Sequence, residues 1–167
     1  MRIYIVVLQF FLFCSTGFSQ SPKEFYNSAN EKLDKKQYNA ALAEYDKAIS
    51  LSKNFTQAYF NRALTKNYLE DYKGAIEDFS KVIELDPDNT LAYNNRGLIK
   101  KTLEDYKGAI DDYSKAVEIN ESYAVAYFNR GNVHILMDKP ELACKDFKKA
   151  LDLGVLKALE YLDKYCK

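Results

Sequence analysis

NRALTKNYLEDYKGAIEDFSKVIEL, residues 61–85, returns with few changes as NRGLIKKTLEDYKGAIDDYSKAVEI, residues 95–119. The offset is 34 residues. A fixed period of this size marks a stacked-repeat architecture, in which each unit buries its apolar face only against its neighbours. Extending the same phase outward gives four windows without a gap: 22–55, 56–89, 90–123 and 124–157.

Aligned columns show what each window builds. The fourth residue is always aromatic (Phe25, Tyr59, Tyr93, Tyr127), and so is the twenty-fourth (Tyr45, Phe79, Tyr113, Phe147). The eighth is small (Ala29, Ala63, Gly97, Gly131), as is the twentieth (Ala41, Ala75, Ala109, Ala143). Two antiparallel helices approach closely only where side chains are small, and large rings fill the space beside each crossing. Each window therefore predicts a helical hairpin, its first helix from about the third to the fourteenth residue and its second from about the eighteenth to the thirtieth. Pro140 falls at the predicted start of the last second helix, a first-turn position where its missing N–H costs little.

These columns, with Tyr38, Tyr72 and Tyr106 opening the second helix and Asp86-Pro87 closing one unit, resemble the tetratricopeptide repeat. The resemblance spans 22–157, with Phe or Tyr where the first aromatic is usually Trp. It implies an all-α fold, a right-handed α-solenoid of four hairpins. After Gly154 the chain repeats Leu156, Leu159 and Leu162, which predicts a closing helix, 158–167, that covers the last hairpin with this leucine face.

The first twenty residues differ from the rest. Arg2 is their one charge, an apolar run follows to Cys14, and Gly17-Phe18-Ser19 offers small residues at a cleavage site. Such a segment reads as a secretory signal peptide, 1–19, because its apolar run of about 12 residues falls short of the roughly 20 needed to span a bilayer. Residues 20–167 then form the mature repeat domain, exported to the periplasm or the medium, with no membrane span after cleavage. Its charge is nearly balanced: 24 Lys and Arg stand against 24 Asp and Glu in the whole chain. No positive field exists to gather nucleic acid.

One histidine, two mature cysteines and the lack of a glycine-rich phosphate loop leave metal centres, triads and nucleotide cradles without their parts. Neither catalysis nor a metal or other cofactor is expected. His134 shares its column with Lys32, Lys66 and Lys100 and reads as a polar stripe residue.

Three sets of residues are candidates for specific roles. At the seventh position Arg62, Arg96 and Arg130 accompany Asp78, Asp112 and Asp146 at the twenty-third, whereas the first unit has Ser28 and Glu44. This covariation inside one sequence predicts structural ion pairs within or between hairpins, with a cationic ligand ladder as the alternative. The sixth position is asparagine throughout: Asn27, Asn61, Asn95 and Asn129. The resemblance implies that first helices line a concave groove. These asparagines, with Asn94 and Asn132, would meet a ligand backbone there or form a solvated ladder. Phe60, Leu64, Tyr68, Leu91, Leu98 and Phe128 would supply the groove's apolar surface, although part of that stripe would serve equally to pack the next hairpin. Family members that clamp the C-terminal carboxylate of heat-shock chaperones use lysines and an arginine where this chain has Tyr26, Leu91 and Asn95, so a carboxylate clamp is not implied. The third set is Cys144 and Cys166. Each lies 11 residues from Val155, so antiparallel helices about that point bring them level. They form a disulfide in an oxidising compartment or remain two core thiols.

The sequence thus reads as a scaffold for protein–protein interaction. A peptide or protein segment of unknown identity would lie in the groove, and the chain would be a monomer without it. The rival is a self-assembling module whose groove receives another copy's closing helix.

Overall fold

The computed structural model describes residues 20–166; the expected signal peptide, 1–19, lies outside them. Nine helices form among the described residues: α1 Pro22–Asp34, α2 Tyr38–Leu51, α3 Thr56–Tyr68, α4 Tyr72–Leu85, α5 Thr90–Thr102, α6 Tyr106–Ile119, α7 Ala124–Leu136, α8 Pro140–Asp152 and α9 Ala158–Tyr165. Each window of 34 residues holds two of them. First helices occupy the first to thirteenth positions, starting two residues before the sequence reading, because N-terminal turns begin with the cap rather than with the first apolar residue. In α1 the Ser21 hydroxyl accepts the Glu24 N–H, the Glu24 carboxylate accepts the Ser21 N–H, and Pro22 presets the first turn. Pro140 likewise opens α8.

The short turns inside the hairpins share one geometry. Lys36, Glu70, Glu104 and Asp138, each at the fifteenth position, take φ of 55 to 62°. The next N–H reaches back to a carbonyl five residues earlier, as from Asp71 to Lys66 and from Asp105 to Lys100, closing the helix end. Asp71 and Asp105 then accept the N–H of Gly74 and Gly108 at 3.0 Å and start the second helix.

Within each hairpin the helices cross where the small columns meet. Ala29, Ala41, Ala63, Ala75, Ala109 and Ala143 are fully buried, as are the rings of Tyr45, Phe79, Tyr113 and Phe147. The spacing is tight enough that a Cβ on Gly131 would come within 2.7 Å of the Phe147 ring, and one on Gly97 within 3.0 Å of Tyr113. Helix follows helix in the stack: α2 packs on α3, α4 on α5, α6 on α7 and α8 on α9. The first helices also touch directly, α1 with α3 and α5 with α7, while no comparable contact joins second helices among the described residues. A curved stack is closest on its inner side, so the first helices line the inside.

The closing helix keeps one residue of the expected face. Leu162 packs on α8 beside Ala158 and Tyr161, whereas Leu156 and Leu159 are 79% and 52% exposed. Leu156 precedes the helix, so its phase is not that of α9. Spacings of three and four from Ala158 select the buried stripe. The helix ends at Tyr165, and residue 167 lies outside the described residues.

Candidate binding groove

Behind the groove runs an ion-pair system that engages all three nitrogens of three guanidinium groups. Arg62 donates from Nε and Nη2 to both oxygens of Asp78, at 2.8 and 2.6 Å, across the hairpin. Arg96 does the same to Asp112, at 2.9 and 2.6 Å, and Arg130 to Asp146, at 2.9 and 2.7 Å. The third arm crosses to the preceding hairpin, reaching Asp46, the Ser80 hydroxyl and the Ser114 hydroxyl in turn. Each guanidinium also lies over the ring at the fourth position, 5.3 to 5.7 Å from Tyr59, Tyr93 and Tyr127. These arginines join hairpins to one another and leave no fork for a ligand. Bonds to Asp146 hold the Arg130 guanidinium above its ordinary value against its burial.

A third member of this system is missing from the sequence reading. The eleventh-position side chain bonds the same aspartate: Lys66 to Asp78 and Lys100 to Asp112, both at 2.8 Å. His134 stands 3.7 Å from Asp146 and is buried rather than lying on a solvated stripe. In the first unit Lys32 bonds Ser28 and pairs with Glu44. The signal was present, since a lysine stands eleven residues into three windows, with His134 in the fourth, and an acid stands at the twenty-third in all four.

The asparagines divide into two groups. Asn61 Nδ2 donates to the Tyr26 hydroxyl and to Asn30 Oδ1, both 3.0 Å away in the preceding unit, and Asn129 donates to Asn94 Oδ1 at 3.0 Å. Asn94 is buried. Asn95 and Asn132 turn back to the carbonyls of Leu91 and Phe128 on their own helices, and Asn27 is exposed. The ladder is therefore partly a cross-brace between hairpins.

The structure brings three of the expected groove residues, Phe60, Asn61 and Leu91, into one cleft of about 440 Å³ between α3 and α5. Tyr26, Leu85, Asp86 and Asn89 line it too and were not foreseen as a set. Leu64 packs on the core, and Leu98 is half-buried. Tyr68 is 62% exposed and stacks on Tyr38, with centroids 5.4 Å apart. Phe128 lies against Phe147 and Tyr161, at 5.7 and 5.0 Å, so it packs the closing helix.

Cys144 and Cys166 are bonded in the structure, with Cα atoms 5.7 Å apart, and tie α8 to the end of α9.

Comparison with protein families agrees with this architecture. Tetratricopeptide repeat models match residues 56–89, 90–123 and 124–153, and a further model of the same repeat matches 29–66. The chain belongs to the tetratricopeptide repeat family. No curated protein matches it. Among solved structures it is similar to a crystal structure of MamA, at 23% identity over 82% of this chain and 80% of that one, with a TM-score of 0.78. It is also similar to the first tetratricopeptide domain of Spaghetti (RPAP3) bound to the HSP90 peptide SRMEEVD, at 27% identity, 66% and 90% coverage and a TM-score of 0.64. The Arabidopsis OM64 tetratricopeptide domain aligns at 26% identity, 68% and 94% coverage and a TM-score of 0.65.

Two features of this tetratricopeptide array lead to predictions. The Tyr45 hydroxyl donates to Asn30 Oδ1 at 2.6 Å, but Leu98 stands where Asn30 would be for Tyr113, whose buried hydroxyl has no partner among the described residues. Tyr45→Phe is expected to cost about 1 kcal/mol and Tyr113→Phe to be neutral or slightly stabilising, as chemical denaturation would show. The second concerns His134. Burial pushes the imidazole below its ordinary 6.5, against the pull of Asp146 and with help from Arg130 and Lys139. The unfolded chain then binds a proton that the folded one refuses. Stability should fall as pH drops through 6.5 and level off only once the folded imidazole itself protonates. Thermal midpoints recorded from about pH 7 to about pH 5.5 should show this decline, and His134→Lys should remove the histidine's share of it.

Proposed function

We propose that this chain is a non-catalytic interaction scaffold that holds an extended peptide or protein segment along its first-helix face, outside the cytoplasm. The observation that carries the reading is the cleft between α3 and α5. It is lined by Phe60, Leu85 and Leu91, with polar groups of Asn61 and Asn89 set at its walls. Apolar side chains of a bound segment would be buried there while its backbone is hydrogen-bonded. The Spaghetti domain is seen with the HSP90 peptide SRMEEVD, whose last residue is acidic. Here Tyr26, Leu91 and Asn95 replace the cations that a carboxylate end would need, so the segment is recognised by internal residues. The Cys144–Cys166 bond supports an oxidising compartment.

The test is capture from the envelope or secretome of the producing cell by the wild-type protein and by Phe60→Ala and Leu91→Ala. A partner held by the wild type and lost by both variants, with melting curves showing them folded, supports the reading. Equal capture by all three contradicts it. A second reading, self-assembly through the groove, is favoured by the exposure of Leu159 on the closing helix and of Leu156 just before it. Sedimentation separates the two, because the scaffold reading expects a monomer without its ligand.

A further inference from the structure

Resting on that groove reading, we propose that the α3/α5 cleft takes a basic side chain, lysine or arginine, flanked by apolar residues in the bound segment. Two of the polar groups on its walls offer an open acceptor oxygen, beside Thr56 and Gln57, which can donate or accept. Asn61 Nδ2 donates to Tyr26 and Asn30, an orientation that leaves its carbonyl oxygen unpaired among the described residues. Asp86 receives one bond, from Asn89 Nδ2 to Oδ2 at 2.7 Å, and its other oxygen is open. Among the residues lining the cleft Asp86 is the one charge, and no cationic side chain joins it there.

The walls suit the rest of such a side chain. Tyr26 and Phe60 are the rings of the lining, and aromatic rings attract a cation, while Leu85 and Leu91 supply apolar surface for a methylene stem. A volume of about 440 Å³ accommodates either residue. A carboxylate would meet Asp86 and the Asn61 oxygen, and a purely apolar side chain would leave both acceptors without donors. The charge also fixes register. Ser52 and Asn120 occupy the Asp86 position in the flanking units, so one cleft of the array carries a carboxylate there.

The probe is a short random-peptide library displayed on phage and panned against the purified protein. Recovered peptides are then measured by fluorescence polarisation against wild type, Asp86→Asn and Phe60→Ala. Asparagine keeps an acceptor for Asn89, and thermal melts establish that both variants fold. The expected result is enrichment of lysine or arginine beside aliphatic or aromatic residues. Affinity should fall about fivefold either with Asp86→Asn or with glutamine in place of the peptide's basic residue, as for a partly exposed ion pair, and the two changes together should add little more. Peptides that lack basic residues, need Phe60 and bind Asp86→Asn as well as wild type would overturn the inference and leave the groove reading standing. No enrichment, or binding indifferent to Phe60, would overturn both.

Discussion

Asp112→Ala is expected to destabilise the array by about 3 kcal/mol, the low end of the range for breaking a buried ion pair. The carboxylate is 3% exposed and binds two cations at once, Arg96 through two bonds and Lys100 at 2.8 Å. Alanine leaves both cations beside a hairpin core with no counter-charge. Their own side chains retain 17% and 20% exposure, so each can turn partly toward water, which keeps the loss near the lower bound. Arg96 also reaches Ser80 in the preceding hairpin, so its release loosens the second and third units together. Chemical denaturation monitored by circular dichroism measures the loss. The surface pair Lys115–Glu118 provides the control, since Glu118→Ala should unfold with the parent. If Asp112→Ala also unfolds with the parent, the ion-pair system does not hold the hairpins together.

Removing the disulfide should cost a similar amount at the other end. Cys144 and Cys166 are 22 residues apart, and closing a loop of that size is worth about 3 kcal/mol in the chain-entropy model. The effect should be local. α9 has eight residues, too few to be a stable helix by itself, and its buried surface is chiefly Ala158, Tyr161 and Leu162. In a stacked array each unit leans only on its neighbours. Cys144→Ser with Cys166→Ser should therefore raise hydrogen exchange first in α9 and α8, while α1 to α4 exchange as before. Protein from its native compartment should show no free thiol on alkylation. Two alkylated cysteines, or uniform exchange after the double substitution, would contradict this.

What could be read from the sequence was whatever repeats. The small columns, the buried rings at the twenty-fourth position and the joint change of Arg62, Arg96 and Arg130 with their aspartates all recur every 34 residues, and each is a contact inside one hairpin. Contacts between hairpins were harder. That Arg96 reaches Ser80, or that Asn61 bonds Tyr26 and Asn30, depends on how one unit is rotated on the last, and the period does not encode that rotation. The lysine column was visible but looked like surface, because a long side chain can run along a helix and place its charge at a buried partner. The closing helix has no repeat to align with. Its leucines suggested a face of which Leu162 alone packs on the array, beside Ala158 and Tyr161. In the groove, Phe60, Asn61 and Leu91 were legible from their positions on the first helices. Asp86 was read as a unit-closing turn, and its place on the cleft wall follows only from the stacking of α3 and α5.

If partners bind along the first-helix face as proposed, site-specific photo-crosslinking in the producing cell traps them there. A photoreactive phenylalanine placed at Gln57, on the cleft, is compared with one at Glu77, exposed on α4. A discrete adduct is expected from position 57, lost with Leu91→Ala, and none from position 77. An adduct from position 77 alone would place the partner on the second helices and rule out the groove as its site.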